Sequence, residues 1–303
     1  MPFFASFLYV LYKAVKKACF LINKKRWSIG IYQGDSPFHI KEVANITNPV
    51  LRPSDVNDVN AEFVADPFVI KNKEKYYMFF EVYNRDSRKG DIGLAESSNG
   101  MNWEYKKIIL QESFHLSYPY VFKWKEKYYL IPESHQDLSV RLYEAESFPF
   151  KWKYKKELLS GYHFVDASVI RYNEKWWMFV SVQENDVLNL YFSDTLMGEW
   201  KKHPKSPVAR NNAHISRPGG RLFEFSNKLF RIAQDDSPNY GSQVYMFEIM
   251  KINENEYKEK PVSDAPIIKG SGKGWNADAM HHIDFFDVKN NQWTAIVDGL
   301  GKS

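Results

Sequence analysis

Apolar and polar positions alternate in short runs along most of this chain, and the runs return in phase about every fifty residues. Each copy opens on a short polar motif, enters an apolar strand and turns at a loop of Asn, Lys and Glu. An aromatic strand then ends on a polar residue, and a third strand ends near a Trp. The first copy is ADPFVIKNKEKYYMFFE, Ala65 to Glu81, continued by GDIGLAES to Trp103. The second is SYPYVFKWKEKYYLIPES, Ser117 to Ser134, then VRLYEAES to Trp152. The third is VDASVIRYNEKWWMFVS, Val165 to Ser181, then LNLYFSD to Trp200. The fourth, SRPGGRLFEFSNKLFRIAQD from Ser216 to Asp235, is more divergent and continues as SQVYMFEI. A fifth copy, HHIDFFDVKNNQWTAIVDG from His281 to Gly299, stops after two strands.

That truncation fixes the architecture. A propeller blade is a four-stranded sheet, and the ring closes when one terminus completes the blade begun by the other. Residues 26–51, RWSIGIYQGDSPFHIKEVANITNPVL, read as the missing strands. The pattern therefore predicts an all-β chain forming a five-bladed β-propeller over residues 26–303, closed by its N-terminal strands. An open sandwich would explain the alternation but not the period. Trp103, Trp152 and Trp200 follow the third strands at one fixed position and are expected to pack between blades. SSNGMNW at 97–103 resembles the Asp-box turn of sialidases.

Residues 1–25 follow another rhythm. Phe3, Phe4, Phe7, Leu8, Leu11, Val15, Ala18 and Ile22 recur at helical spacing, and Lys13, Lys16, Lys17, Lys24, Lys25 and Arg26 cluster toward the end. The uncharged run is too short to span a bilayer and no small-residue cleavage site follows. Two readings stand: a short amphipathic helix packed on the propeller or on an assembly partner, or an interfacial helix on the anionic inner face of a membrane. The expected location is cytoplasmic, and on the second reading peripheral to the inner face of the membrane.

Composition changes the picture in three places. Aromatic residues reach 17% (22 Phe, 19 Tyr, 9 Trp), which suits a strand-rich chain. The net charge of +4 carries no basic stripe, so no nucleic-acid partner is expected. Cys19 is the single cysteine, which removes disulfides and Cys-based zinc sites; no metal site is expected and no cofactor is named by any motif.

The innermost strands of a propeller line its channel, so the residues that open them converge. Alignment of the copies brings Asp66, Tyr118, Asp166 and Arg217 to equivalent positions. Three residues earlier stand His115, His163 and His214, with Phe63 in the first copy, and His281 and His282 occupy the matching part of blade five. The ends of the second strands add Glu81, Glu133, Arg231, Gln234, Asp235 and Asp298. Core packing would select apolar residues here, so a converging set of carboxylates, imidazoles and arginines points to a ligand site. Its chemistry suits a polyhydroxylated ligand, a sugar or glycan; Arg217 or Arg231 could also grip a phosphate or carboxylate.

With those motifs placed, the ADPF opening with Asp66, the second acid Asp166 and the five-blade repeat resemble the furanosidase-type propeller superfamily, which includes glycoside hydrolase families 43, 32, 62, 117 and 130. HLSYPYVF (115–122), YLIPES (129–134), the VDAS of blade three, RPGGRLF (217–223), FRIAQD (230–235) and YG (240–241) resemble a narrower family. It is that of the N-terminal domain of plant glucosamine inositolphosphorylceramide transferase, with stand-alone bacterial relatives. The likeness spans roughly residues 27–300. It implies a place in glycoconjugate assembly. The hydrolase pattern implies that Asp66 is base or nucleophile and that Asp166 orients the substrate and tunes acidity. At blade four Arg217 stands where that pattern wants an acid, leaving Glu133, His214 or Asp235 as substitutes.

The leading expectation is a carbohydrate-active enzyme of surface polysaccharide or glycoconjugate biosynthesis that transfers a sugar at a glycosidic centre, with Asp66, Asp166 and Glu133 catalytic. Its ligand would be a sugar, free or phosphorylated or lipid-linked. The alternatives are a non-catalytic glycan-binding scaffold partnering a transferase, and a cytoplasmic glycosidase or phosphorylase with an Arg-bound phosphate.

Overall fold

A computed structural model describes residues 25–302 apart from 183, 290 and 291. The helix expected over residues 1–25 lies outside these, save for Lys25. Its strands form five antiparallel sheets arranged as the repeat requires. Blade one runs outward through Ala61–Asn72, Lys75–Asn84, Lys89–Ser97 and Glu104–Leu110. Blade two follows with Ser117–Trp124, Lys127–Glu133, Ser139–Ser147 and Lys151–Ser160. Blade three has Phe164–Tyr172, Lys175–Val182, Val187–Ser193 and the short Lys201–Lys202. In blade four, Arg217–Pro218 and Phe223–Phe225 share the inner position against Lys228–Asp235, with Gln243–Ile252 and Tyr257–Pro261 outside. Blade five takes Ile283–Lys289 and Gln292–Gly301 from the end of the chain and Arg26–Ser36 and His39–Glu42 from its start. The closing register runs unbroken from Arg26 opposite Gly301 to Gly34 opposite Trp293.

The repeated Asn/Lys/Glu loops are tight hairpins. Lys73, Lys125, Asn173, Glu174, Ser226 and Asn227 take the left-handed backbone that such turns demand. Between blades the fill is aromatic. Trp152 of blade two packs edge-on against Phe79 of blade one at 5.6 Å, and Trp103 of blade one meets Phe286 of blade five at 6.3 Å. Trp200 is buried beside blade-two side chains. No described helix is long and apolar enough to cross a membrane.

Two buried networks close the channel floor. The Arg221 guanidinium donates to Asp284 at 2.8 Å and to the Val121 carbonyl at 2.9 Å, while Asp284 also accepts the Val69 amide at 2.8 Å. One ion pair thereby joins blades one, two, four and five. The Tyr118 hydroxyl reaches Ser168 at 2.8 Å, the Gly220 carbonyl at 3.0 Å and the Gly220 amide at 2.9 Å, joining blades two, three and four. Tyr118, expected from its aligned position to meet a ligand, is buried with its hydroxyl bonded across blades three and four.

Candidate functional site

The residues that open the inner strands are set by a repeated distortion. In blades one to three the register slips between Ala65 and Phe68, Ser117 and Tyr120, and Val165 and Ser168. At each slip the aligned residue has positive φ: 52° at Asp66, 41° at Tyr118 and 53° at Asp166. A left-handed non-glycine residue costs on the order of 1–3 kcal/mol, and such strain persists where surrounding structure holds it in place. Here the bulge turns a strand residue out of the sheet and into the channel.

Asp66 sits at the junction of blades one and five. Its amide donates to Asp298 Oδ2 at 3.1 Å, and its own Oδ2 accepts the Tyr118 amide at 3.3 Å. Asp298 also accepts His281 Nδ1 at 2.7 Å and the amides of His281 and His282 at 3.1 and 3.0 Å. His281 Nε2 then faces Asp66 Oδ1 at 3.7 Å. Burial opposes a charge on His281, yet Asp298 and Asp66 push it up to about 9. Burial in turn raises Asp66 to about 6 against the pull of His281. Asp66, His281 and Asp298 bring ligand atoms within 4.8 Å of one another, but the oxygens of Asp298 are taken by N–H donors and His281 is held protonated. In this arrangement the trio forms a charged hydrogen-bond chain. Trp27 stacks on His281 at 4.1 Å, and Tyr240 meets its edge at 5.5 Å.

Across the channel, Arg217 donates from Nε to Asp166 at 2.6 Å, from one terminal nitrogen to Asn185 at 3.2 Å and from the other to Glu133 at 3.4 Å. Gln234 Nε2 joins Asp166 at 2.8 Å. Burial pushes Asp166 up against the pull of Arg217. Burial works the same way on Glu133, but His135 at 2.6 Å and Arg217 overcome it and draw Glu133 down to about 2. Glu81 differs. Its Oε1 is buried without a hydrogen bond, His115 Nε2 standing 3.4 Å away in ion-pair contact only. Burial and the carboxylates of Asp66, Glu133 and Asp166 push Glu81 well above the usual carboxylate range. His115 accepts the Gly90 amide at Nδ1, so its proton lies on the nitrogen facing Glu81.

The remaining residues divide. His163, exposed, contacts the His135 carbonyl at 3.0 Å, and His214, its side chain 56% exposed, pairs with buried Asp235 at 2.9 Å. Both mark the rim. His282 is buried between Phe68 and Tyr118, 4.6 and 5.3 Å away, and burial pushes it down to about 3, which makes it a neutral packing residue. Arg231 is not a channel residue. It forks onto Glu259 at 2.5 and 2.6 Å and lies over Phe247 within blade four. Four contributors escaped the sequence: Trp27, His135, Asn185 and Tyr240. Only Tyr240 carried a signal, in the YG pair, and it stands 5.3 Å over the Arg217 guanidinium.

Residues 19–300 match the family model described as glucosamine inositolphosphorylceramide transferase 1, N-terminal. The chain belongs to this family. The transferase from Oryza sativa subsp. japonica is 34% identical over 304 residues, covering 93% of this chain and 41% of the relative. The Arabidopsis thaliana transferase is 32% identical over 300 residues, covering 91% and 39%. This member of the transferase N-terminal family thus spans about two fifths of the length of its curated relatives. Among solved structures, the GH62 α-L-arabinofuranosidase catalytic domain of Coprinopsis cinerea superposes with a TM-score of 0.62 at 11% identity, over 80% of this chain and 92% of that one. A family 117 glycoside hydrolase of Zobellia galactanivorans gives 0.54 at 17%, over 82% and 88%. These two likenesses establish the fold.

Proposed function

We propose that this propeller acts at a glycosidic centre during glycoconjugate assembly, with Asp66 as base and Glu81 as acid. The observation that carries the reading is the pair of environments. Asp66 faces a protonated imidazole and is ionised above about 6, whereas Glu81 faces other carboxylates and keeps its proton. Two carboxyls driven apart in acidity are the requirement for acid–base work on a sugar. In the proposed step the anomeric C–O bond breaks, its electron pair goes to the leaving oxygen, and that oxygen takes the Glu81 proton. The incoming hydroxyl forms the new C–O bond and yields its proton to Asp66. Glu133, held ionised, serves as a fixed negative charge near the developing positive sugar and not as the acid. Asp166 fixes Arg217.

The names of the plant relatives and the shared fold support a sugar ligand, and residues 1–25 would hold the protein at a membrane where a lipid-linked acceptor resides. Cells lacking the gene, complemented with Asp66→Asn or Asp166→Asn, should lose the glycan product while the purified variants keep the wild-type circular dichroism. Normal glycan from both variants would sink the catalytic reading.

A second reading, a glycan-binding module serving a separate transferase, is favoured by one observation: Arg217 fills the position where hydrolases of this architecture are expected to carry an acid. It predicts tight sugar binding without turnover by the purified protein. The phosphorylase reading has less support, because Arg217 and Arg231 each hold protein carboxylates.

A further inference from the structure

The channel can be read as a template for the hydrogen bonds and charge of whatever fills it. Two buried acceptor oxygens among its residues have no donor: Asp166 Oδ1 and Gln234 Oε1. The amide orientation of Gln234 is not arbitrary. Its nitrogen donates to Asp166 Oδ2 at 2.8 Å and to the Pro218 carbonyl at 2.9 Å, both acceptors, so the oxygen must be the free end. A buried acceptor without a donor costs about 1–3 kcal/mol, which a ligand O–H or N–H would recover.

The cations give the converse. Every nitrogen of Arg217 already donates, to Asp166, Asn185 and Glu133. His281 donates to Asp298 and faces Asp66. Arg221 is bound to Asp284 under the floor, and Arg231 to Glu259 inside its blade. With Glu81 protonated, Asp66, Glu133, Asp166 and Asp298 still outnumber the cations Arg217 and His281 that face them. A phosphate entering this space would meet carboxylates, and each nitrogen of the one guanidinium that faces them already donates to a protein group.

We propose that the channel takes a glycosyl unit that brings hydroxyl or amine donors and no negative charge, and that it rejects sugar phosphates and nucleotide sugars. This rests on the reading of the channel as a sugar site and narrows its substrate class. The group that leaves is then the oxygen of a glycoside, and the reaction that supplies the substrate is one that has already joined sugar to aglycone.

Calorimetry on the purified full chain would test it, using a library of monosaccharide methyl glycosides beside the matching 1-phosphates and uridine diphosphate sugars. At least one methyl glycoside should bind about tenfold or more tighter than its phosphorylated counterparts. Glu133→Gln and Asp66→Asn should narrow that gap by weakening repulsion, whereas His214→Ala at the rim should leave it intact. A melting curve for each variant separates misfolding from altered selectivity. Equal or tighter binding of the phosphorylated forms would overturn the proposal and leave the sugar site standing. Binding of no sugar in any form would overturn both.

Discussion

Asp66 and Glu81 lie on the first two strands of one blade and share their solvent, so their divergence is a matter of neighbours. His281 stabilises the charge on Asp66, and nothing comparable reaches Glu81, which faces His115, Asp66, Glu133, Asp166 and Arg217. The sign of the pH dependence follows. Asp66 works as the anion, so turnover should rise with pH through about 6. Glu81 works as the acid, so turnover should fall at higher pH as its proton is lost. Measured as kcat/KM, Glu81→Gln should abolish the falling limb and slow poor leaving groups by about 10²–10⁴-fold, with a smaller effect on activated ones. A falling limb that survives in Glu81→Gln would assign the acid elsewhere. The acids Asp66 and Asp166 were legible from alignment, because both follow a recurring motif. The role of Glu81 was not, because acidity depends on which charges other blades bring near it.

At the scale of the element, the inner strands owe their chemistry to their irregularity. A regular strand alternates its side chains, and the bulges at Asp66, Tyr118 and Asp166 break that parity at one level of the channel. Blade four reaches the same level by another route, with Gly219 and Gly220 between its two inner strands. Gly220 has φ of 155°, and a Cβ there would stand 1.9 Å from the Ile283 carbonyl oxygen. Gly220→Ala should therefore push blade five away and lower the melting temperature severely, seen by calorimetry; a variant melting like the wild type would mean the blades can separate freely. Alternation also explains Arg231. It lies three positions before Gln234, and odd separations in a strand point to opposite faces, so only Gln234 meets the channel.

The whole molecule adds direction. The chain enters the ring at Lys25, ion-paired to Asp278 at 2.5 Å, and Trp27 already touches the site through His281. Lys25 and Trp27 therefore lie on the channel-mouth face. Leu138, Tyr162 and Tyr240 stand on loops of that face with exposures of 41%, 66% and 48%. Arg88, Arg210, Lys269, Lys273 and Lys302 are exposed on the same face, without an ion pair among the described residues. If membrane contact is made there, an environment-sensitive dye on Tyr162→Cys should shift to the blue on anionic vesicles. The same dye on Phe150→Cys, at the opposite hairpin, should not. A shift at Phe150→Cys alone would reverse the orientation, and no vesicle binding by either would dismiss the contact.

Period and polarity along the chain determined the blade count, the split fifth blade and the ring of aligned residues, because a repeat that cannot bury its own faces must stack on its copies. Tertiary structure decided how the members of that ring are partnered. Tyr118 runs to the floor, Arg217 binds Asp166 and Glu133, and Glu81 is left among carboxylates with His115 in ion-pair contact. Such outcomes depend on distances between blades some fifty residues apart or more, and short-range pattern carries no record of them.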